Sequence, residues 1–388
     1  MLIPLALLMA ALVSYQLLWS VRISRYFKLL PILLIAAAAL KPQIVYLFGG
    51  DNYFAPDLPG WVLLSAAWFY AVSFFSFILL LLPAAASASA RLYCKFRKRA
   101  LPEKVRKLNN IVNIVLMALA LILASIALAN GLREPEVRQI KLFLDNLPPA
   151  AENYRMTVLS DLHIDRTCTP AKVRQLVERV NRLQSNTVVI LGDVVDGRTS
   201  ALSAMVRELA QLRAADGVYG IMGNHEYFSG GSEWAEFLTQ CNVKMLLNEN
   251  VELRKNFYLA GITDPAARYS KGTMAKPDLD KALLGITPDA CTVLLAHRPG
   301  HARKAVKKNV QLQLSGHTHG GMIAGFDRVI GKFNEGFITG LYQLEDLQLY
   351  VSSGTAIWSG FPFRLGSRAE ITVITLKNNN LKKQGKEK

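Results

Sequence analysis

Four of the six histidines in this chain lie in four short polar signatures, each of which follows a strand-like apolar run. The signatures are Asp161-Leu162-His163, Gly192-Asp193-Val194-Val195-Asp196, Gly223-Asn224-His225-Glu226 and Gly316-His317-Thr318-His319; His297, between the last two, directly follows a further apolar run. Carboxylate, amide oxygen and imidazole together suit Mn, Fe or Zn, and a set without thiolates argues against a structural zinc site. Two such ions roughly 3.5–4 Å apart acidify a bridging water and clamp phosphoryl oxygens for in-line attack. The residue types therefore point to metal-assisted hydrolysis of a phosphate ester.

The elements that must position these residues alternate as strand, polar loop and helix from Arg155 onward. Runs at 156–159, 187–191, 218–222, 292–296 and 310–314 are apolar, and the ligand candidates come directly after each of them. Thr169-Pro170 opens a helix whose Val173, Leu176, Val177, Val180 and Leu183 recur at helical spacing. Open α/β sheets form their ligand crevices beyond the C-terminal ends of strands, which is where all the candidates fall. Runs at 347–351 and 370–376 add strands and suggest a second sheet packed on the first. Singly the motifs say little, because Asp-x-His is common in turns and a lone His297 would be ordinary in a core. Gly-Asn-His-Glu and Gly-His-x-His after strands are more specific, and the ordered set is more specific still.

That order resembles the calcineurin-like metallophosphoesterase superfamily over residues 155–376. Gly-Asn-His-Glu-Tyr-Phe-Ser-Gly at 223–230, Gly-His-Thr-His-Gly-Gly at 316–321 and Ser-Ser-Gly-Thr at 352–355 look most like a bacterial membrane-associated branch of phosphohydrolases and phosphodiesterases. The resemblance implies an α/β fold, a two-sheet sandwich flanked by helices, with a dinuclear centre between the sheet edges. It implies one metal held by Asp161, His163, Asp193 and His319, and a second held by Asn224, His297 and His317 with Asp193 bridging. His225 would face the phosphate, stabilising the transition state or protonating the leaving oxygen. Asp196 would hydrogen-bond His225 and fix its orientation. Phosphoprotein phosphatases of the superfamily carry arginine directly after the second aspartate, whereas Gly197 stands here and Arg198 follows. Arg198 and Arg298 are candidate phosphate contacts, although a solvated surface position is the commoner fate of such arginines. His301 has no motif place, and 325–339, with Phe326, Phe333 and Phe337, is a candidate rim.

The first 130 residues are of another kind. Spans at 2–21, 29–48, 61–85 and 111–129 approach the roughly 20 apolar residues that cross a hydrocarbon core of about 30 Å, so four transmembrane helices are expected. Lys41-Pro42 interrupts the second. The first has no charged leader or clear cleavage site and reads as a retained helix. Arg22, Arg25 and Lys28 mark the first loop, and Arg91, Lys95, Arg97, Lys98, Arg99, Lys104, Arg106 and Lys107 the third. The second loop carries Asp51 and Asp57 and no basic residue. Positive loops stay cytoplasmic, which puts the large C-terminal domain outside the cytoplasm of an inner membrane. A connector follows at 131–154, with an amphipathic turn around 137–144, and a disordered basic tail occupies 377–388.

Composition bounds the partners. The formal net charge is +16. Residues 1–150 hold 15 Lys/Arg against 6 Asp/Glu, and 151–388 hold 30 against 23. Much of the excess flanks apolar runs, where anionic lipid is the nearer partner and nucleic acid the weaker one. No aromatics interleave the tail lysines, which disfavours a nuclease. Cys94, Cys168, Cys241 and Cys291 lack C-x-x-C spacing and announce neither a disulfide framework nor a zinc knuckle. The leading expectation is a membrane-anchored phosphodiesterase or phosphohydrolase acting on an envelope or lipid-linked ester with two divalent metals. The alternatives are a pyrophosphate hydrolase for a nucleotide-linked acyl sugar of lipid A synthesis, and a non-catalytic membrane sensor or scaffold.

Overall fold

The structure, a computed structural model, describes residues 2–18, 24–48, 57–270 and 272–379. Arg22, Asp51 and the tail beyond 379, used in the topology and tail expectations, lie outside the described residues. The chain divides into an apolar helical unit, essentially residues 1–130 with 360–363, and a larger unit made up chiefly of 131–359 and 364–388.

In the helical unit, α1 (Leu2–Leu18), α2 (Arg25–Ala39), α3 (Lys41–Phe48), α4 (Gly60–Phe96) and α5 (Glu103–Gly131) follow in order. Only α4 and α5 are individually long and apolar enough to cross a bilayer among the described residues, not the four expected. The α2–α3 pair bends by 76° and makes at most a third span. The break falls at Leu40, directly before Lys41-Pro42, where the proline has no N–H to continue the ladder and its ring would clash with the carbonyl one turn back. Among the described residues α1 has 17, fewer than the roughly 20 of a typical crossing. Small residues let the helices approach, with Ala67 and Ala71 of α4 and Ala120 and Ala124 of α5 all buried. Two polar side chains find partners across helices: Trp68 Nε1 donates to Ser125 Oγ at 3.0 Å, and Asn113 Nδ2 to the Gln16 carbonyl at 2.8 Å.

The larger unit contains twelve strands among the described residues: β1 (Glu136–Leu144), β2 (Arg155–Leu159), β3 (Thr187–Ile190), β4 (Val218–Gly220), β5 (Val243–Met245), β6 (Glu249–Arg254), β7 (Phe257–Gly261), β8 (Cys291–Leu295), β9 (Leu312–Ser315), β10 (Gly340–Leu344), β11 (Leu347–Val351) and β12 (Glu370–Asn378). They form two six-stranded sheets, ordered β1-β12-β2-β3-β4-β5 and β10-β11-β9-β8-β7-β6. The central strands are parallel and buried on both faces, which is why their sequences are continuous apolar runs. Alternate side chains divide between layers. Val189 and Leu191 join Val293, Leu295 and Leu314 in the core between the sheets, while Val188 and Ile190 pack with Val173 and Val177 of α6 (Pro170–Asn181) on the outer face. The Thr169 side chain caps α6 by accepting from the Lys172 amide, as its sequence predicts.

Two expectations change at the edge of the first sheet. The turn expected around 137–144 is instead β1, paired in parallel with β12 from Glu136↔Glu370 to Leu144↔Asn378. The same pairing draws Lys377 and Asn378, expected in the disordered tail, into β12.

Candidate metal centre

The ligand candidates converge because the parallel strands deliver them to one end of the sandwich. The loops they occupy are tight. Asp161, His163, Asp193, His317 and His319 have φ of 54°, 43°, 51°, 74° and 49°, the left-handed region that non-glycine residues avoid. Such conformations cost on the order of 1–3 kcal/mol each and persist where surrounding structure over-determines them, typically at functional sites. Two glycines make room: a Cβ on Gly223 would collide with Asp193, and one on Gly316 with Ser160 and Asp161.

Three overlapping groups of donors result: Asp161, His163 and His319; His163, Asp193 and His225; and Asp193, His297 and His317. Within each, the donor atoms lie within 4.8 Å of one another. Asp193 is central. Its Oδ2 is 3.2 Å from His297 Nε2, 3.9 Å from His225 Nε2 and 4.0 Å from His163 Nε2. His163 Nε2 and His319 Nε2 are 3.0 Å apart, and His319 Nε2 is 3.6 Å from Asp161 Oδ1. At the other end His317 Nδ1 lies 3.2 Å from His297 Nε2. His297 is aimed by its own Nδ1, which donates to the Leu191 carbonyl at 2.8 Å. Asn224 is buried, and its Oδ1 accepts from Arg298 at 3.3 Å.

Asp196 does more than the sequence suggests. Its Oδ1 accepts from His225 Nδ1 at 2.6 Å and from His163 Nδ1 at 3.0 Å, so one carboxylate orients both rings. Arg298, with 35% of its side chain exposed, is held against the cluster: Nε donates to buried Asp264 at 2.8 Å, and its terminal nitrogens lie 3.3 Å from His317 Nε2 and from Asn224 Oδ1. Arg198 is exposed at the start of the helix Thr199–Val206. Within the expected rim, Phe337 is buried in the core while Phe333 is exposed.

Sequence reasoning missed three residues. Glu226, fully buried, accepts from the amides of Gly223 (2.7 Å), Asp193 (3.0 Å), Val194 (2.6 Å) and Val195 (3.1 Å), pinning two ligand loops together. Its place in Gly-Asn-His-Glu was the available signal. Arg364, 1% exposed, donates to the carbonyls of Ser353 (2.8 Å), Ala356 (2.7 Å) and His319 (3.3 Å). Trp358 stands edge-on to His225 with centroids 5.4 Å apart. Neither lies in a motif that singles it out.

The charges are mutually adjusted. Burial disfavours a cation on His163, but Asp196, Asp193 and Asp161 outweigh it and bring the ring to about 9. At His297 burial is likewise outweighed by Asp193, Asp161 and Asp264, giving about 10. His317 and His319 are held well below the usual imidazole range by burial and by cationic neighbours, His297 and Arg298 for one, His163 and Arg364 for the other. Burial opposes ionisation of Asp193, yet His297, His225 and His163 hold it well below the ordinary carboxylate range. Neutral His317 and His319, ionised Asp193, and His163 and His297, which give up a proton to become ligands, form a mixed nitrogen–oxygen donor set of the kind a pair of divalent ions takes, so the residues fit the metals the sequence implies.

Residues 154–321 match the calcineurin-like phosphoesterase family. The chain is similar to a transmembrane protein with metallophosphoesterase domain from Bos taurus, 38% identical over 268 residues, 66% of this chain and 60% of that one. A protein of the same description from Danio rerio is 32% identical over 291 residues, 72% and 66% of the two chains. An uncharacterized metallophosphoesterase of Campylobacter jejuni is 32% identical over 286 residues, 72% of this chain and 74% of its own. The chain thus belongs to the calcineurin-like metallophosphoesterase family and carries its metal-dependent phosphoesterase domain. It spans 60% and 66% of the lengths of the cattle and zebrafish relatives.

Proposed function

We propose that the chain is a membrane-anchored, dinuclear-metal phosphoesterase that hydrolyses an envelope or lipid-linked phosphate ester. The observation that carries this reading is the position of Asp193 Oδ2, within 4.0 Å of imidazole nitrogens from three separate loops. Asp161, His163, Asp193 and His319 would hold one ion, and Asp193, Asn224, His297 and His317 the other. When bound, such a pair acidifies water and neutralises charge on the phosphoryl oxygens.

The chain's own residues do the rest. His225, its Nδ1 tied to Asp196, presents Nε2 to the leaving oxygen and gives it a proton as the P–O bond breaks. Asp193 and Asp196 favour the protonated ring against the effect of burial, the state a general acid needs. The Arg298 fork, aimed by Asp264, supplies donors to the phosphoryl group from beside His317.

Apolar α4 and α5 support the anchor, and the basic residues from Lys95 to Lys107 between them support a cytoplasmic loop there. The catalytic unit then lies outside the cytoplasm, where tethering raises its effective concentration toward lipid-linked esters. The test is release of p-nitrophenol from bis-p-nitrophenyl phosphate and p-nitrophenyl phosphate by the full chain, metal-stripped and then restored with Mn, Fe or Zn. Metal-dependent turnover is expected; two bound equivalents without turnover on either ester would favour a sensor or scaffold.

A further inference from the structure

The larger unit holds a cavity of about 510 Å³ that no step of the chemistry above uses. Its inner end is formed by Leu162, His163 and Ile164, the loop that supplies a candidate metal ligand, and by Thr355, Ala356 and Ile357. One wall is the face of α6 bearing Val173 and Leu176, and residues 131–135 border the cavity on its outer side, with Leu132, Arg133 and Glu134 exposed. The volume lies within the range of small-molecule sites. Its lining is amphiphilic in an ordered way. Leu162 and Val173 are buried at 2% and 4% exposure, whereas Arg133, Lys172, Arg179 and Arg182 ring the outer part against only Glu134 and Glu178. Arg179 spends part of its charge on Glu134 at 3.5 Å, which leaves a cationic excess at the mouth.

Chain connectivity adds a second observation. Gly131 ends the 29-residue apolar helix α5, so Pro135 at the mouth is separated from a membrane-length helix by at most roughly 14 Å of extended chain. An apolar interior, a cationic mouth and a floor that includes His163 match one class of ligand, an anionic phosphate ester bearing an alkyl chain. A sugar or a nucleotide would leave Leu162, Val173 and Leu176 facing polar groups.

We infer that this cavity receives the alkyl chain of the substrate while its phosphate sits at the candidate metal centre, making the protein selective for long-chain amphiphilic phosphodiesters. The inference rests on the phosphoesterase reading and names its substrate class. The chain passes Leu162 and lies along Val173 and Leu176; the cations at the mouth face the anionic headgroups from which the substrate is drawn.

The experiment uses the full, metal-loaded chain in amphipol and a series of p-nitrophenyl alkyl phosphates from ethyl to decyl, kept below their micelle concentrations. Full burial of each added methylene raises kcat/KM roughly fourfold, the equivalent of about 0.8 kcal/mol, until the cavity is filled. Leu176→Trp, which fills the cavity, flattens the dependence. A flat series in the wild type, or an equal rise in both proteins from partitioning alone, overturns the proposal. Cys168 lines the same cavity and gives a readout that needs no turnover. Burial pushes its thiol up to about 11, so alkylation by N-ethylmaleimide is followed at alkaline pH by mass spectrometry of the Cys168 peptide. Decyl phosphonate should slow that labelling at least about fivefold and ethyl phosphonate should not. Equal rates with both, as when a segment of this chain fills the cavity, overturn the proposal. No release from any ester alongside chain-length-dependent protection would instead remove the phosphoesterase reading and leave a lipid-phosphate binding site.

Discussion

The two ends of the metal cluster are built from similar residues but held differently. At one end Asp161, His163 and His319 are 0%, 2% and 4% exposed, with Asp196 behind His163 and the buried Arg364 behind His319. At the other end His317 is only half-buried, a neutral amide replaces a carboxylate, and the Arg298 guanidinium lies 3.3 Å from both His317 Nε2 and Asn224 Oδ1. One end is sealed by the fold; the other is partly open and shares its donors with a cation. On the proposed reading the Arg298 end meets the phosphoryl oxygens, while the sealed end, whose His163 also borders the cavity beside Leu162 and Ile164, supplies the permanent charge.

Removing the group common to both ends should have the largest effect. Asp193→Asn is expected to lower kcat roughly a thousandfold or more, because metal-assisted charge stabilisation is worth several kcal/mol. Unchanged turnover at full metal occupancy would contradict the bridging role. His225→Ala should cost about 10²–10⁴ in kcat while metal content stays at the wild-type value. Loss of metal in that variant would make His225 a ligand instead. Asp196→Asn, which loosens one ring at the sealed end and one over the phosphate, should cost about 10–100-fold. Arg298→Ala should act on binding, raising KM and weakening inhibition by inorganic phosphate about tenfold, with Arg298→Lys recovering only part because it lacks the fork. An effect confined to kcat would argue against a phosphate contact.

The pH dependence separates the ends further. A ligand imidazole must be neutral, and His163 and His297 are protonated below about 9 and about 10 in the metal-free fold. Apparent metal affinity, measured by competition with a chelator, should therefore keep rising above pH 7 instead of levelling off near the ordinary imidazole value of about 6.5. The same raised values stabilise the metal-free protein fully below about 6.5, and that stabilisation is lost as pH rises through about 9 and about 10. The melting temperature of the stripped chain should fall over that range while that of the loaded chain changes less.

Much of the site is legible in the sequence because its residues sit in contiguous motifs after strands buried on both faces, such as Thr187–Ile190 and Cys291–Leu295. The strand β1 is not, since its outer residues Glu136, Arg138 and Gln139 are exposed and its partner β12 is more than 200 residues away. Long-range pairing leaves no local pattern. The number of spans is similarly obscured, because Lys41-Pro42 interrupts a run of crossing length without showing how far the backbone turns there, which is 76°. Arg298 and Glu226 owe their roles to contacts with Asp264 and with three amides of the Asp193 loop, none of them a sequence neighbour.

The most direct test is calorimetric titration of the metal-stripped full chain with Mn(II). Two equivalents should bind with unequal affinity, the weaker one strengthened by Arg298→Ala because a competing cation is removed, and both weakened by Asp193→Ala. A single equivalent, or two whose affinities ignore both substitutions, would contradict a dinuclear centre with one sealed and one open end.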